Sequence, residues 1–306
     1  MRPSIHYVYE SIAGIDIGDH VFPTEKYELL ARAVREQLGV PSTRIHPWDD
    51  VFEEDLERVH TPRYLDDLRE ARRTWATVSS ELPVDADVIG GFARMCGGSV
   101  AAVRLAVEHG IGHHLGGGFH HAFPDHAEGF CYLHDMAIAV ERQRAESGLE
   151  RVLFVDVDVH QGNGTAVVYA DDRDTFTYSI HQDRNYPIKQ RSDLDRSLDD
   201  GVDDATYLEI LARDLDAVDA RFAPDLVCYV AGVDPYAEDV LGGLAMTEEG
   251  ILARDRMVLE RYVGRGIPVA VFLAGGYAPD PNTTARLHLQ AARAAEEICG
   301  QDISPS

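Results

Sequence analysis

The run Asp156-Val157-Asp158-Val159-His160 places two carboxylates and an imidazole at alternate positions. In an extended strand end, residues two apart point to the same side, so this spacing predicts three polar side chains on one face. Oxygen and nitrogen donors at short range, with room for water, are what a catalytic zinc ion uses. Two hard oxygen ligands also suit iron, cobalt or manganese. A buried carboxylate pair without compensation is costly, which argues against a set of mere loop caps. Asp234, before Pro235, would by itself be a turn residue; its place in the chain makes it the natural distant ligand. The tandem His120–His121 follows Gly116-Gly117-Gly118-Phe119. Two histidines there suit proton transfer near neutral pH, with Asp156 or another acid holding one ring. Tyr277, after Gly275–Gly276, offers a phenol to stabilise an oxyanion.

These residues need elements that bring them together. Short apolar runs at 5–9, 111–115, 152–157, 175–180, 226–231 and 269–274 have the length and β-branched content of buried parallel strands. Amphipathic stretches at 25–38, 62–76, 85–109, 135–146, 207–220, 248–263 and 283–298 predict helices. Thr247, ahead of Glu248 and Glu249, is the expected N-cap of one of them. The alternation predicts an α/β fold: a single-domain, open, mostly parallel sheet with helices on both faces, spanning residues 1–300, with 301–306 as a frayed tail. On this map five strands end in polar or glycine clusters: His120–His121, the Asp/His run, Ser179 with His181, Asp234, and Gly275–Gly276–Tyr277. The carboxyl edge of such a sheet is where ligands bind.

Composition narrows the partners. Across 306 residues, 53 acidic against 28 basic side chains give a formal net charge of −25. Such a surface repels nucleic acid and anionic lipid; it reads first as a highly solvated surface suited to high salt, and it would also steer basic peptides or polyamines toward it. Cys96, Cys131, Cys228 and Cys299 are widely spaced in apolar or helical contexts and are expected as buried, reduced thiols. The first residues lack a signal-peptide apolar region and no apolar run is expected to span a membrane, so a cytoplasmic location is expected. The oligomeric state is not legible.

The motifs resemble those of the histone deacetylase family within the arginase–deacetylase fold. The matching stretches are 116–122 (GGGFHHA), 129–135 (GFCYLHD), 156–165 (DVDVHQGNGT), 231–235 (AGVDP) and 274–277 (AGGY), with 59–64 and 20–27 nearer the N-terminus. The stretches at 161–164 and 239–244 look most like the class IV branch and its bacterial relatives. The resemblance implies a zinc-dependent hydrolase, with iron(II) as an alternative metal, that uses metal-activated water to remove an acyl group, acetyl or longer, from lysine side chains of a protein or peptide. An acylated polyamine is the alternative substrate, and a non-catalytic small-ligand sensor the alternative of another class. An arginase-like hydrolase would need more Asp ligands for two manganese ions.

Residue by residue, the resemblance makes Asp158, His160 and Asp234 the zinc ligands. His120 and His121 flank the reacting water, with His121 as the main base and acid, and Tyr277 polarises the carbonyl. Gly129, Phe130, Gly275 and Gly276 are implied to bind substrate. Asp156 is implied to support His120 and, with Ser179, the backbone of Ile180 and the backbone of Asp158 and His160, to hold a structural potassium ion. Two positions depart from the pattern. Asn163 stands where many relatives carry Asp behind the second histidine; without that charge a less basic His121 is expected. His134 stands where Asn is common and is read as a surface histidine at a helix N-terminus, with a residue of the site's rim or supporting layer as the alternative.

Overall fold

A computed structural model describes residues 3–11 and 15–300; the expected tail at 301–306 lies outside the described residues. Eight strands are present: β1 (Ser4–Val8), β2 (Ile45–His46), β3 (Gly110–His114), β4 (Val152–Asp156), β5 (Thr175–Gln182), β6 (Leu194–Leu198), β7 (Leu226–Val230) and β8 (Val269–Phe272). They form one sheet in the order β2-β1-β3-β8-β7-β4-β5-β6. Every pairing between them is parallel. The central strands β4, β5, β7 and β8 are buried along their whole length. This is why they read as unbroken apolar runs rather than alternating ones.

The helices are α1 (Glu25–Gln37), α2 (Glu53–Glu57), α3 (Pro62–Arg69), α4 (Trp75–Val78), α5 (Ala86–His109), α6 (Asp135–Ser147), α7 (Asn163–Val168), α8 (Asp204–Asp219), α9 (Glu248–Val263) and α10 (Pro281–Gly300). They cover both faces of the sheet: α5 packs on β1 and β3 and against α6, while α1, α9 and α10 pack together. Thr247 caps α9 as expected, its side chain accepting from the Gly250 NH at 3.0 Å.

Three expectations are corrected. The stretch 62–76 is two helices, because Ala71 adopts φ 45°. The Arg72 NH then returns to the Asp67 carbonyl at 2.8 Å and the Ala71 NH to that of Leu68 at 3.0 Å, a Schellman closure without glycine. The helix α5 is long and apolar enough to cross a membrane, contrary to expectation, but 78% of its most apolar window is buried against the sheet and α6. Cys299 is only half-buried, whereas Cys96, Cys131 and Cys228 are buried; no disulfide joins any of the four. The edge strands β2 and β6 have no counterpart among the expected strands: β2 has two residues, and β6 (LDRSL) is polar and half-exposed.

Candidate active site

The site lies at the carboxyl ends of β3, β4, β7 and β8. The Asp156-to-His160 run does not continue as a strand: β4 stops at Asp156, and Asp158 to His160 form a bend. The expected common face is therefore broken. Asp156 turns to His120, while Asp158 and His160 join Asp234 in a buried trio whose donor atoms all lie within 4.8 Å of one another. Nδ1 of His160 is 3.1 Å from Oδ1 of Asp158 and 3.1 Å from Oδ2 of Asp234.

Backbone donors fix these carboxylates. The NH groups of His160 and Gly275 reach Asp158 at 2.9 and 2.7 Å, and the NH of Val159 reaches Asp234 at 2.8 Å. Burial, then the neighbouring Asp158 charge, pushes the Asp234 carboxyl up to about 7. Burial alone would lower His160, but hydrogen bonds and charge from the two carboxylates hold it up at about 10. Two buried carboxylates and one imidazole fit a divalent cation of the zinc or iron(II) type, which would keep both acids ionised.

Beside the trio, the two histidines are held from behind. Nδ1 of His120 is 2.7 Å from Oδ2 of Asp156, and Nδ1 of His121 is 2.7 Å from Oδ1 of Asn163. Burial opposes charge on His120, but the Asp156 and Asp158 charges outweigh it and raise the ring to about 9. His121 is held well below its ordinary range, first by burial and then by the charges of His120 and His160; the Asn163 hydrogen bond pulls the other way. Burial, rather than Asn163, is the main cause of this lowering.

Tyr277 and Phe130 complete the site. Burial, then the Asp158 and Asp234 charges, keeps the Tyr277 phenol protonated far above its ordinary range. Phe130 meets Tyr277 edge-on at 6.1 Å between ring centroids. With His121, His160, Tyr186 and Leu241 they line a pocket of about 220 Å³ whose mouth carries Glu81. Below it, a cavity of about 20 Å³ reaches the glycine loop at Gly117–Gly118. Gly129 borders the pocket at φ 50°, where an added Cβ would come within 2.6 Å of the His121 ring. Gly275 lines the smaller cavity rather than the mouth, and Gly276 lines neither. A Cβ on Gly275 would sit 2.1 Å from Oδ2 of Asp234, and Gly276 packs against Val233, Thr284 and His288. The residues assigned to potassium are neighbours: Asp156 pairs in register with Ser179, just before Ile180. The Ser179 hydroxyl is 2.9 Å from Nδ1 of His181.

Several positioning residues stand outside the expected set. Asp135, at the start of α6, accepts from the NH groups of Gly118 and Phe119 at 3.0 and 2.8 Å and so pins the loop that presents the histidines. Asp239 accepts the Tyr277 NH at 2.6 Å and those of Leu241 and Gly242 at 2.9 and 3.0 Å. An Asp shortly before Leu-Gly-Gly is the available signal for that turn. His134 is corrected: it is the N-cap of α6 but fully buried, with Nδ1 taking the Ala137 NH at 3.2 Å and Nε2 2.9 Å from the Thr165 hydroxyl. Thr165 in turn donates its backbone NH to the His120 carbonyl at 3.1 Å, so His134 supports the histidine loop from beneath.

The chain is similar to several known proteins. The family described as "Histone deacetylase domain" matches residues 20–293. An uncharacterized protein of Picosynechococcus is 39% identical over 92% of this chain and 94% of its own length. Histone deacetylase 2 of Arabidopsis thaliana is 31% identical over 73% of this chain and 60% of its own length. The crystal structure of a histone deacetylase homologue from Aquifex aeolicus shares the fold, with a TM-score of 0.76 at 22% identity, over 96% of this chain and 88% of that one. The chain therefore belongs to the histone deacetylase family of hydrolases.

Proposed function

We propose that this protein is a metal-dependent amide hydrolase that removes a short acyl group from a lysine side chain, its catalytic domain spanning residues 1–300. One observation carries the reading: His121, Tyr277 and His160, the last being one of three donors that lie within 4.8 Å of one another, line one pocket. Asp158, His160 and Asp234 would hold the metal, zinc or iron(II), which supplies Lewis acidity to the carbonyl and to the attacking water. The alkali ion would sit by Asp156, Ser179 and the Ile180 backbone, beneath His120.

The chain's own groups do the rest. His121 keeps its Nδ1 proton on Asn163, which leaves Nε2 free to take a proton from water. The same proton then passes to the departing amine nitrogen as the carbon–nitrogen bond breaks. His120, hydrogen-bonded to Asp156 and packed beside His121, would add a second imidazole to stabilise the developing oxyanion. The Tyr277 hydroxyl donates to that oxyanion. Phe130 excludes water along the linear side chain.

The small size of the foot cavity, about 20 Å³, supports acetyl over long acyl chains as the group removed. The acidic surface and Glu81 at the mouth support acylated polyamines as a second substrate class. A panel of acetyl-, octanoyl- and myristoyl-lysine peptides and acetylated polyamines, assayed with zinc and with iron(II), tests the reading. Inactivity on every substrate with metal bound would instead favour a binding module.

A further inference from the structure

Asn163 leaves a problem that Asp in its place would not. A carboxylate only accepts, so it forces a proton onto the facing nitrogen of His121. A carboxamide has one accepting and one donating end, of nearly equal size. If its NH2 faced His121, Nδ1 would have to accept and the ring proton would sit on Nε2, where a base needs its lone pair. Something must decide which way Asn163 points.

Glu128 stands at the other end of that amide. Nδ2 of Asn163 is 2.8 Å from Oε1 of Glu128, while Oδ1 is 2.7 Å from Nδ1 of His121. Since an ionised carboxylate cannot donate, only the NH2 end can face Glu128. Hydrogen bonds from His126, Asn163 and Tyr186 outweigh half-burial and hold the Glu128 carboxyl below its ordinary range, so it is ionised at neutral pH. Its own position is rigid. The NH of Glu128 donates to the Cys131 carbonyl at 3.1 Å, and the NH of Cys131 returns to the Glu128 carbonyl at 2.9 Å. Between them Gly129 and Phe130 both have positive φ, 50° and 64°, a tight turn of the type I′ kind. Oε1 also accepts from the Tyr186 hydroxyl at 3.1 Å, and Oε2 lies 3.5 Å from Nε2 of His126. The turn that sets Phe130 in the pocket wall therefore also sets Glu128 behind Asn163.

We propose that Glu128 is a positioning residue: it orients the Asn163 carboxamide and thereby holds His121 in the tautomer protonated at Nδ1, with Nε2 free toward the pocket. Glu128 touches no reacting atom and acts through Asn163. It replaces, one residue further out, the directional constraint that Asp supplies directly. This inference rests on the hydrolase reading only for its effect on rate, not for its effect on the tautomer.

The test compares the zinc-loaded wild type with Glu128→Gln, Asn163→Asp and the double variant. Nitrogen-15 NMR of the histidine rings, with His121 assigned from the His121→Ala spectrum, reads the tautomer. Wild type is expected to show Nδ1 protonated, and Glu128→Gln a mixture, because the new carboxamide can accept or donate. In turnover of an acetyl-lysine peptide, Glu128→Gln should lower kcat by about tenfold or more with KM nearly unchanged, the scale for partners one step removed from the chemistry. The double variant should recover both rate and tautomer, since its new carboxylate accepts from His121 and from the new carboxamide together. A wild-type tautomer and kcat in Glu128→Gln, or a double variant no better than Glu128→Gln, overturns the proposal. If wild type turns over no substrate yet the tautomer shifts as described, the positioning role stands and the hydrolase reading falls.

Discussion

The backbone NH of Gly275 donates to Oδ2 of Asp158 at 2.7 Å, joining the loop after β8 to the bend after β4. Only a residue without Cβ permits this approach, because the added carbon would lie 2.1 Å from Oδ2 of Asp234 and 2.6 Å from Oδ2 of Asp158. The substitution Gly275→Ala should therefore push the two carboxylates apart. Zinc affinity is expected to fall by about tenfold to a hundredfold, measured by chelator competition. Wild-type affinity would count against the trio as the metal site.

Tyr277→Phe removes a hydroxyl without changing the pocket's shape. If the phenol stabilises the oxyanion, kcat should fall by about 10²–10³ while KM and metal content stay near wild type. His121→Ala should fall at least as far. A loss confined to KM would assign Tyr277 to substrate binding instead.

Acid should destabilise the fold through its buried histidines. Burial depresses His60 to about 4 and His113 to about 3. Burial likewise lowers His114 and His134 to about 3, helped by neighbouring histidine charge. A depressed histidine stays neutral when folded but takes a proton when unfolded. Its contribution is present above pH 6.5, is lost progressively as pH falls below that value, and is fully lost once pH has passed about 4 to 3. At pH 5 each such histidine removes about 2 kcal/mol, so urea midpoints should drop steeply between pH 7 and 5. Neither ring nitrogen of His113 has a hydrogen-bond partner. His113→Leu should therefore flatten this slope without lowering stability at neutral pH; an unchanged slope would refute the assignment.

The shape of the pocket sets two expectations about substrate. The foot cavity favours acetyl-lysine over octanoyl-lysine by about tenfold or more in kcat/KM, since a longer chain must displace packed residues. Glu81 holds φ 63° at the mouth, and its carboxylate has no ion-pair partner among the described residues. Glu81→Gln should raise KM for acetylated polyamines more than for a neutral acetyl-lysine peptide, and more at low salt than at high salt. Equal effects on both substrates would remove Glu81 from selectivity.

Much of this site is legible in the chain because its chemistry is local. The pairs Gly116–Gly118 with His120–His121, and Gly275–Gly276 with Tyr277, announce loops at strand ends. The buried strands β4, β7 and β8 announce themselves by unbroken apolar runs, since both faces are covered. The polar edge strand β6 and the two-residue β2 carry no such signal, because pairing on one side needs little apolar surface. His134 reads as a surface residue for the same kind of reason. A histidine after a Phe-Cys-Tyr-Leu run has no local mark of burial, which comes from α7 and Thr165 packing over it.

Residue type and spacing alone determined the order of six of the eight strands and of the longer helices, and the supply of donors: carboxylates, imidazoles and a phenol placed at strand ends. They did not determine which donor meets which. By spacing, Asp156 and Asp158 are equivalent. The end of β4 separates them, sending one to His120 and the other to His160 and Asp234. In the sequence Glu128 is one more acidic residue in a chain of net charge −25. Only the turn at Gly129–Phe130 places it against Asn163. Hydrogen bonds act over about 3 Å, and such distances between remote segments exist only once the chain has folded.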